Sequence, residues 1–201
     1  MVISKAQYII SNTDWKKCPN PEMPEYAFIG RSNVGKSSLI NMLSNHSNLA
    51  KISSNPGKTR TINHFLINEN WYLVDLPGYG FARASHKERM KWEKMIQDYL
   101  CNRPNLISVF LLIDSRLVPQ KVDLNFMIQL GEWEIPFVLL FTKADKIKAR
   151  ITQIHISNFL NQLKKNWEEL PDYFITSTIS KIGRIAVLDY ISKCNTKFTA
   201  Q

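Results

Sequence analysis

The stretch GRSNVGKSS, Gly30 to Ser38, follows directly on the apolar run YAFI and leads into LINML. Two glycines five positions apart, then lysine and serine, restrict the fold more than any other part of the chain. Such a loop works only between a buried strand and a helix. The glycines let the backbone curl until successive N–H groups point inward at an anion, and the helix adds its positive N-terminal end. Gly30, Arg31, Ser32, Asn33, Val34, Gly35, Lys36, Ser37 and Ser38 therefore form a candidate phosphate cradle. In it Lys36 reaches the β- and γ-phosphates as a point charge, and the Ser37 hydroxyl ligates Mg²⁺.

The rest of the chain supplies the frame this loop requires. Short β-like runs at 26–29, 63–68, 71–75, 107–114, 137–142 and 173–178 alternate with helical patterns at Lys36–Leu43 and about 86–101, 121–133, 148–165 and 184–194. This alternation predicts an α/β fold: a mostly parallel sheet of about six strands with helices on both faces. Only NHFLIN and WYLVD lie close enough for a hairpin, so that pair is expected to be antiparallel. Trp92, Ile96, Tyr99 and Leu100 repeat at helical spacing and mark one buried face, with the basic residues of that helix mostly outside it. The Pro-rich CPNPEMPE, 18–25, reads as an extended lead-in to the first strand. At 201 residues the chain fits one domain, with 1–25 as its N-terminal lead-in and 26–201 as its body.

A phosphate loop alone does not choose between ATP and GTP, nor between kinase, ATPase and switch. Two later segments narrow the choice. TKAD, Thr142, Lys143, Ala144 and Asp145, ends the strand FVLLF. A carboxylate there can accept from guanine's ring N–H and exocyclic amino group together, a donor pair that adenine lacks. Lys143 would lie along the base. Taken alone, Lys-x-Asp on a loop is more often an exposed charge pair, and it gains meaning only from its place after the phosphate loop. DLPGYG opens with Asp75, Leu76, Pro77 and Gly78 at the end of WYLV. Asp75 is placed to hold Mg²⁺ through water, and the Gly78 N–H can sense the γ-phosphate. Taken alone, this is a Pro-Gly turn closing a strand.

With these segments in order, and NPGKTR at 55–60 between the first two, the chain closely resembles the EngB (YihA/YsxC) family of bacterial GTPases. These belong to the wider TrmE–Era–EngA–EngB–Septin-like group. The resemblance runs from PEYAFIGRSNVGKSSLIN through NPGKTRTINHF, VDLPGYGFA and TKAD to TSTISKIG. It implies a P-loop NTPase of Ras-like G-domain type, with Mg²⁺-dependent binding of GTP and GDP. It also implies a part in large ribosomal subunit assembly and a link to cell division and septation. By the same resemblance Gly57, Lys58, Thr59, Arg60 and Thr61 belong to the first switch, and Thr59 joins Ser37 on Mg²⁺. Thr61, two residues on, is easily mistaken for it. Thr176, Ser177 and Thr178 match the loop that supports the guanine base, where Thr176 stands in place of an aromatic residue.

The expected catalytic set is Lys36, Thr59, Asp75 and Gly78. Many regulatory GTPases carry a water-orienting glutamine after the DxxG motif, but here that position is Tyr79. A phenol cannot copy an amide's paired donor and acceptor, so unaided hydrolysis should be slow, on the order of 10⁻⁴–10⁻² s⁻¹. Asn33 matches the asparagine that binds K⁺ in some members of the wider group, or else only stabilises the loop.

Charge and composition bear on partners. A net charge of +9 favours a polyanion, and basic residues crowd 83–94 and 143–150, which suits RNA as well as a simply solvated face. Lys58, Arg60, Arg83, Lys87 and Arg89 would sit on switch segments. The leading expectation is a GTP-controlled switch that docks on the large ribosomal subunit or its RNA. The alternative is a GTP-binding interaction protein acting in division through protein contacts, with little need for turnover. A small P-loop kinase is disfavoured by TKAD. Cys18, Cys101 and Cys194 form no CxxC or Cys/His cluster, so structural thiols are expected, and the four histidines are scattered. No apolar run approaches the roughly 18–20 residues of a membrane span, and the N-terminus has no long apolar signal core. A cytoplasmic monomer is expected.

Overall fold

The computed structural model describes residues 1–51, 60–80 and 85–199. The strands are β1 (Ala6–Asn12), β2 (Glu25–Gly30), β3 (Ile62–Ile67), β4 (Trp71–Asp75), β5 (Leu106–Asp114), β6 (Phe137–Thr142) and β7 (Tyr173–Ile175). The helices are α1 (Lys36–Ser44), α2 (His86–Asn102), α3 (Lys121–Glu132), α4 (Ala149–Leu163) and α5 (Arg184–Thr199). The strands form one seven-stranded sheet in the order β1-β3-β4-β2-β5-β6-β7. The pairs β1–β3 and β3–β4 are antiparallel, and the others are parallel.

Where about six strands were expected, the described residues form seven. The added strand is β1, which lies at the sheet edge with Tyr8 and Ile9 both exposed and a register shift between Tyr8 and Ile10. An edge strand with so little burial lacks the apolar alternation that reveals a strand in sequence. The expected strand over 173–178 also ends sooner, at Ile175, which leaves Thr176–Thr178 in a loop.

The central strands show why their sequences are nearly continuous apolar runs. In β2, Ala27 and Ile29 face one side with Val109 and Leu111 of β5, where α2, α3 and α4 contribute Ile96, Met127 and Phe159. Tyr26 and Phe28 face the other side with Phe110 and Leu112, where α1 and α5 contribute Leu39, Leu43, Val187 and Leu188. Both faces are buried, so period-2 alternation carries no polar half. The Phe28 and Phe110 rings stack with centroids 4.8 Å apart. Truncating either to alanine would cost about 3–5 kcal/mol.

Helix ends are fixed locally. Ser85 and Glu88 form a reciprocal capping box at the start of α2. At the other end of α1, the Arg184 guanidinium donates to the carbonyls of Met42 (2.8 Å) and Leu43 (3.1 Å), so α5 satisfies C-terminal acceptors of α1. At the N-terminal end of β2, Glu25 is wholly buried among His64 of β3, Tyr99 of α2 and Arg103. Burial alone would raise its carboxyl pKa, but hydrogen bonds from His64, Arg103 and Tyr99 outweigh that and hold it at about 2.

Candidate functional site

All the singled-out segments that the structure describes meet at the carboxyl ends of the parallel strands, the edge where open α/β sheets place their ligands. Gly30 ends β2, Asp75 ends β4, Asp114 ends β5 and Thr142 ends β6. Thr176 begins the loop after β7.

Arg31 to Gly35 make the turn from β2 into α1. Gly35 sits at φ 102°, a left-handed conformation that a side chain would strain, and Asn33 at φ 62° also lies in the left-handed region, which asparagine tolerates. The buried Val34 carbonyl accepts from the Thr142 hydroxyl at 2.7 Å, which ties the loop to the end of β6. Lys36, Ser37 and Ser38 form the first turn of α1, where N–H groups have no intrahelical carbonyl to meet. Lys36 forms an ion pair with Asp75, both side chains being largely buried.

Gly78 closes the cradle from the β4 side. A Cβ there would lie 2.6 Å from the Gly30 carbonyl oxygen, so only glycine allows these two segments to approach so closely. Leu76 is core, with its N–H on the Phe28 carbonyl. Any part that Leu76 and Pro77 have toward a ligand is therefore a matter of backbone placement.

Tyr79 is turned inward. Its hydroxyl donates to Asp123 Oδ1 of α3 at 2.7 Å, and its ring stacks on Phe126 at 4.4 Å. Burial raises the pKa of both Tyr79 and Asp123. The phenol is thus anchored in α3 rather than free to hold an attacking water.

At the end expected to hold the base, the Lys143 ammonium donates to the Asn33 carbonyl (2.5 Å) and to Asp114 Oδ2 (2.9 Å). Arg116 grips the same Asp114 through Nε and Nη2 at 2.9 and 2.7 Å. Burial would raise the Asp114 pKa, but Arg116 and Lys143 hold it below the usual range. Asp145 accepts from Ser177 Oγ at 2.7 Å, the chief reason its pKa is lowered, and so it is an ionised, acceptor-only group at neutral pH. The Ala144 N–H donates to the Thr176 carbonyl, and the Thr176 hydroxyl donates to the Phe141 carbonyl. Thr176 is therefore a fully buried strut between β6 and β7, a task that needs no aromatic ring.

Other expected residues fall differently. Gly57, Lys58 and Thr59 lie outside the described residues, as does Arg83. The Arg60 guanidinium lies over the Trp92 ring, 5.4 Å from its centroid. Thr61 donates to Asn63 Oδ1 at 2.9 Å and so is directed toward β3, which it precedes. Thr178 is half-buried in the loop after β7. Asp114 was not singled out from sequence, although a carboxylate closing the apolar run ISVFLLI was a usable signal. Asp123 offered no such signal, being an ordinary helical aspartate until the fold places it under Tyr79.

Comparison with known proteins agrees with this geometry. Residues 25–143 match the family described as "50S ribosome-binding GTPase". A "probable GTP-binding protein EngB" of Bacteroides fragilis is 56% identical over all of both chains, and that of Bacteroides thetaiotaomicron is 58% identical over 95% of each. Among solved structures, a probable GTP-binding protein engB superposes with a TM-score of 0.64 at 23% identity, covering 86% of this chain and 99% of that one. Era in complex with MgGDPNP and a 16S ribosomal RNA fragment gives 0.67 at 20% identity, over 85% and 56%. The NFeoB domain from S. thermophilus bound to GDP·AlF4⁻ and K⁺ gives 0.62 at 24% identity, over 84% and 60%. At these identities the structures speak to the fold alone.

Proposed function

Because the chain belongs to the EngB family of GTP-binding proteins and is a GTPase, we propose that it is a Mg²⁺-dependent, slowly hydrolysing switch whose GTP state docks on the large ribosomal subunit. What supports this most is the close approach of Gly78 to Gly30, which puts the segment after β4 at the mouth of the phosphate cradle. A γ-phosphate there meets the Gly78 N–H, and the loop beyond responds to its loss.

The residues present fit a nucleotide with its cation. Lys36 and Asp75, paired here, would each exchange one partner for another, Lys36 turning to phosphate oxygens and Asp75 to a hydrated cation. The Ser37 hydroxyl would hold Mg²⁺, joined by Thr59. Asp145 reads guanine, while Lys143 lies along the base and steadies the cradle through Asn33. Lys36 would neutralise charge that develops during hydrolysis, a task the cation would share when bound. With Tyr79 held by Asp123, no side chain at that position positions the water, and turnover is slow without help from a partner. Asn33 would hold K⁺, whose charge would supply part of that help; the NFeoB structure contains such an ion.

Several coarser findings support the wider role. The family description names the 50S subunit, and Era, of the same fold, binds ribosomal RNA. The net charge of +9 suits an RNA-rich partner. Among the described residues no helix is long and apolar enough to cross a membrane. The reading has the protein act in the cytoplasm as a monomer. Residues 26–201 act as the G domain with 1–25 as its lead-in, and the protein is linked to division and septation.

Linkage tests this reading. If the GTP state docks preferentially, saturating large subunits must raise the affinity for a GTP analogue over GDP by the same factor. A fluorescent-nucleotide titration with and without subunits reads that factor, and an unchanged ratio would count against the proposal.

A further inference from the structure

His155 of α4 donates from Nδ1 to the Ser115 carbonyl at 2.9 Å, which fastens α4 to the turn that follows β5. That turn is pinned from its other end as well, because the N–H groups of Arg116 and Leu117 donate to the Asp114 Oδ1 and carbonyl, both at 3.1 Å. The junction so held displays aliphatic side chains. Leu117 and Val118 in the turn are 41% and 57% exposed, while Ile151 and Ile154, on the turn of α4 that leads to His155, are 39% and 45% exposed. Lys121, Lys148 and Arg150 are exposed around them, and among the described residues none of the three is in an ion pair. Neither 115–122 nor 146–158 contains an aspartate or a glutamate.

We infer that this corner docks an acidic segment of a partner protein that carries aliphatic side chains of its own. Exposed aliphatics bordered by polar groups mark contact surfaces, and an apolar centre within a charged rim is how protein interfaces are laid out. The rim here is cationic throughout, so it selects carboxylates. RNA would satisfy the cations but leave the centre unused, since its bases are held by stacking on flat groups and the four aliphatic side chains offer none. A membrane surface would need a longer apolar stripe, whereas the exposed face of α4 turns polar beyond Ile154, at Ser157, Asn158, Asn161 and Gln162. A second copy would set one cationic corner against another. The basic run 143–150, which suits RNA on charge alone, thus takes a different partner once its aliphatic neighbours are counted. The inference stands apart from the ribosome-docking reading.

The test is fluorescence anisotropy of the GDP-bound protein with three labelled helical peptides: one with Leu along one face and Glu elsewhere, one with Ser in place of Leu, and one with Lys in place of Glu. The Leu/Glu peptide should bind on the order of 10-fold more tightly than either control, the effect of burying a few aliphatic groups and of matching charge. Leu117→Ser with Ile151→Ser should erase its advantage over the Ser peptide, and Lys148→Glu with Arg150→Glu its advantage over the Lys peptide. Both variants should bind GDP as wild type does, since all four side chains are exposed. No binding of the Leu/Glu peptide, equal binding of all three, or advantages that survive in both variants would overturn the inference. A short single-stranded RNA, or phosphatidylglycerol vesicles, bound more tightly than the Leu/Glu peptide and released by the same substitutions would overturn it too, and would reassign the corner to nucleic acid or lipid. None of these outcomes involves large subunits, so failure here leaves the ribosome reading in place, and failure of that reading leaves the corner as it is.

Discussion

The Lys143 ammonium lies 2.5 Å from the Asn33 carbonyl, so the loop expected to hold the base is fastened directly to the loop expected to hold the phosphates. Asp114, anchored by Arg116, holds the ammonium from the other side. Lys143→Met should therefore weaken both GDP and GTP binding on the order of 10- to 100-fold, the worth of charge-assisted hydrogen bonds. Equilibrium titration with a fluorescent nucleotide would show it, and unchanged affinity would mean the tie is ornamental.

Asp145 is an acceptor-only carboxylate with Ser177 on one oxygen. Changing it to Asn exchanges one acceptor for a donor, which suits xanthine, whose C2 carbonyl replaces guanine's amino group. Asp145→Asn should lose GTP affinity by about 10²-fold or more and gain affinity for xanthosine nucleotides. Competition binding between the two nucleotides measures both changes.

Tyr79 points at Asp123, away from the cradle. Tyr79→Phe should thus leave single-turnover GTP hydrolysis within about threefold of wild type, yet lower stability by about 1–3 kcal/mol because buried Asp123 loses its donor. A large fall in hydrolysis with nucleotide binding intact would instead give the phenol a catalytic role.

Glu25 titrates at about 2 in the folded protein against 4.5 for an ordinary glutamate. Its folded-state pKa is depressed, so its contribution, about 3 kcal/mol, is present above pH 4.5 and is lost as the pH falls towards 2. Urea denaturation at stepped pH should show that decline, and Glu25→Gln should flatten it.

Asn33 carries the cation proposal. Turnover should rise in KCl over NaCl at equal ionic strength, and Asn33→Ala should remove the difference without unfolding the protein. Identical rates for wild type in the two salts would end the idea.

How far the sequence revealed this site depended on how local each signal was. Gly30–Ser38, Asp75–Gly78 and Thr142–Asp145 stood out because each is one short contiguous segment, and the fold brings all three to the carboxyl ends of the parallel strands. The central strands were legible because burial on both faces leaves continuous apolar runs such as FLLI. β1 was hidden by its edge position, where Tyr8 and Ile9 stay exposed. Asp114 and Asp123 acquire meaning only from Lys143 and Tyr79, which are remote in sequence and are brought to them by parallel pairing and helix packing. The deep cluster of Glu25, His64, Tyr99 and Arg103 was unreadable for the same reason.

The central claim is that the γ-phosphate governs docking, and sedimentation of the purified protein with large ribosomal subunits tests it most directly. Co-migration with a non-hydrolysable GTP analogue, and its loss with GDP or without nucleotide, at two salt concentrations, is the predicted result. Equal co-migration in every nucleotide state, or none in any, would contradict it.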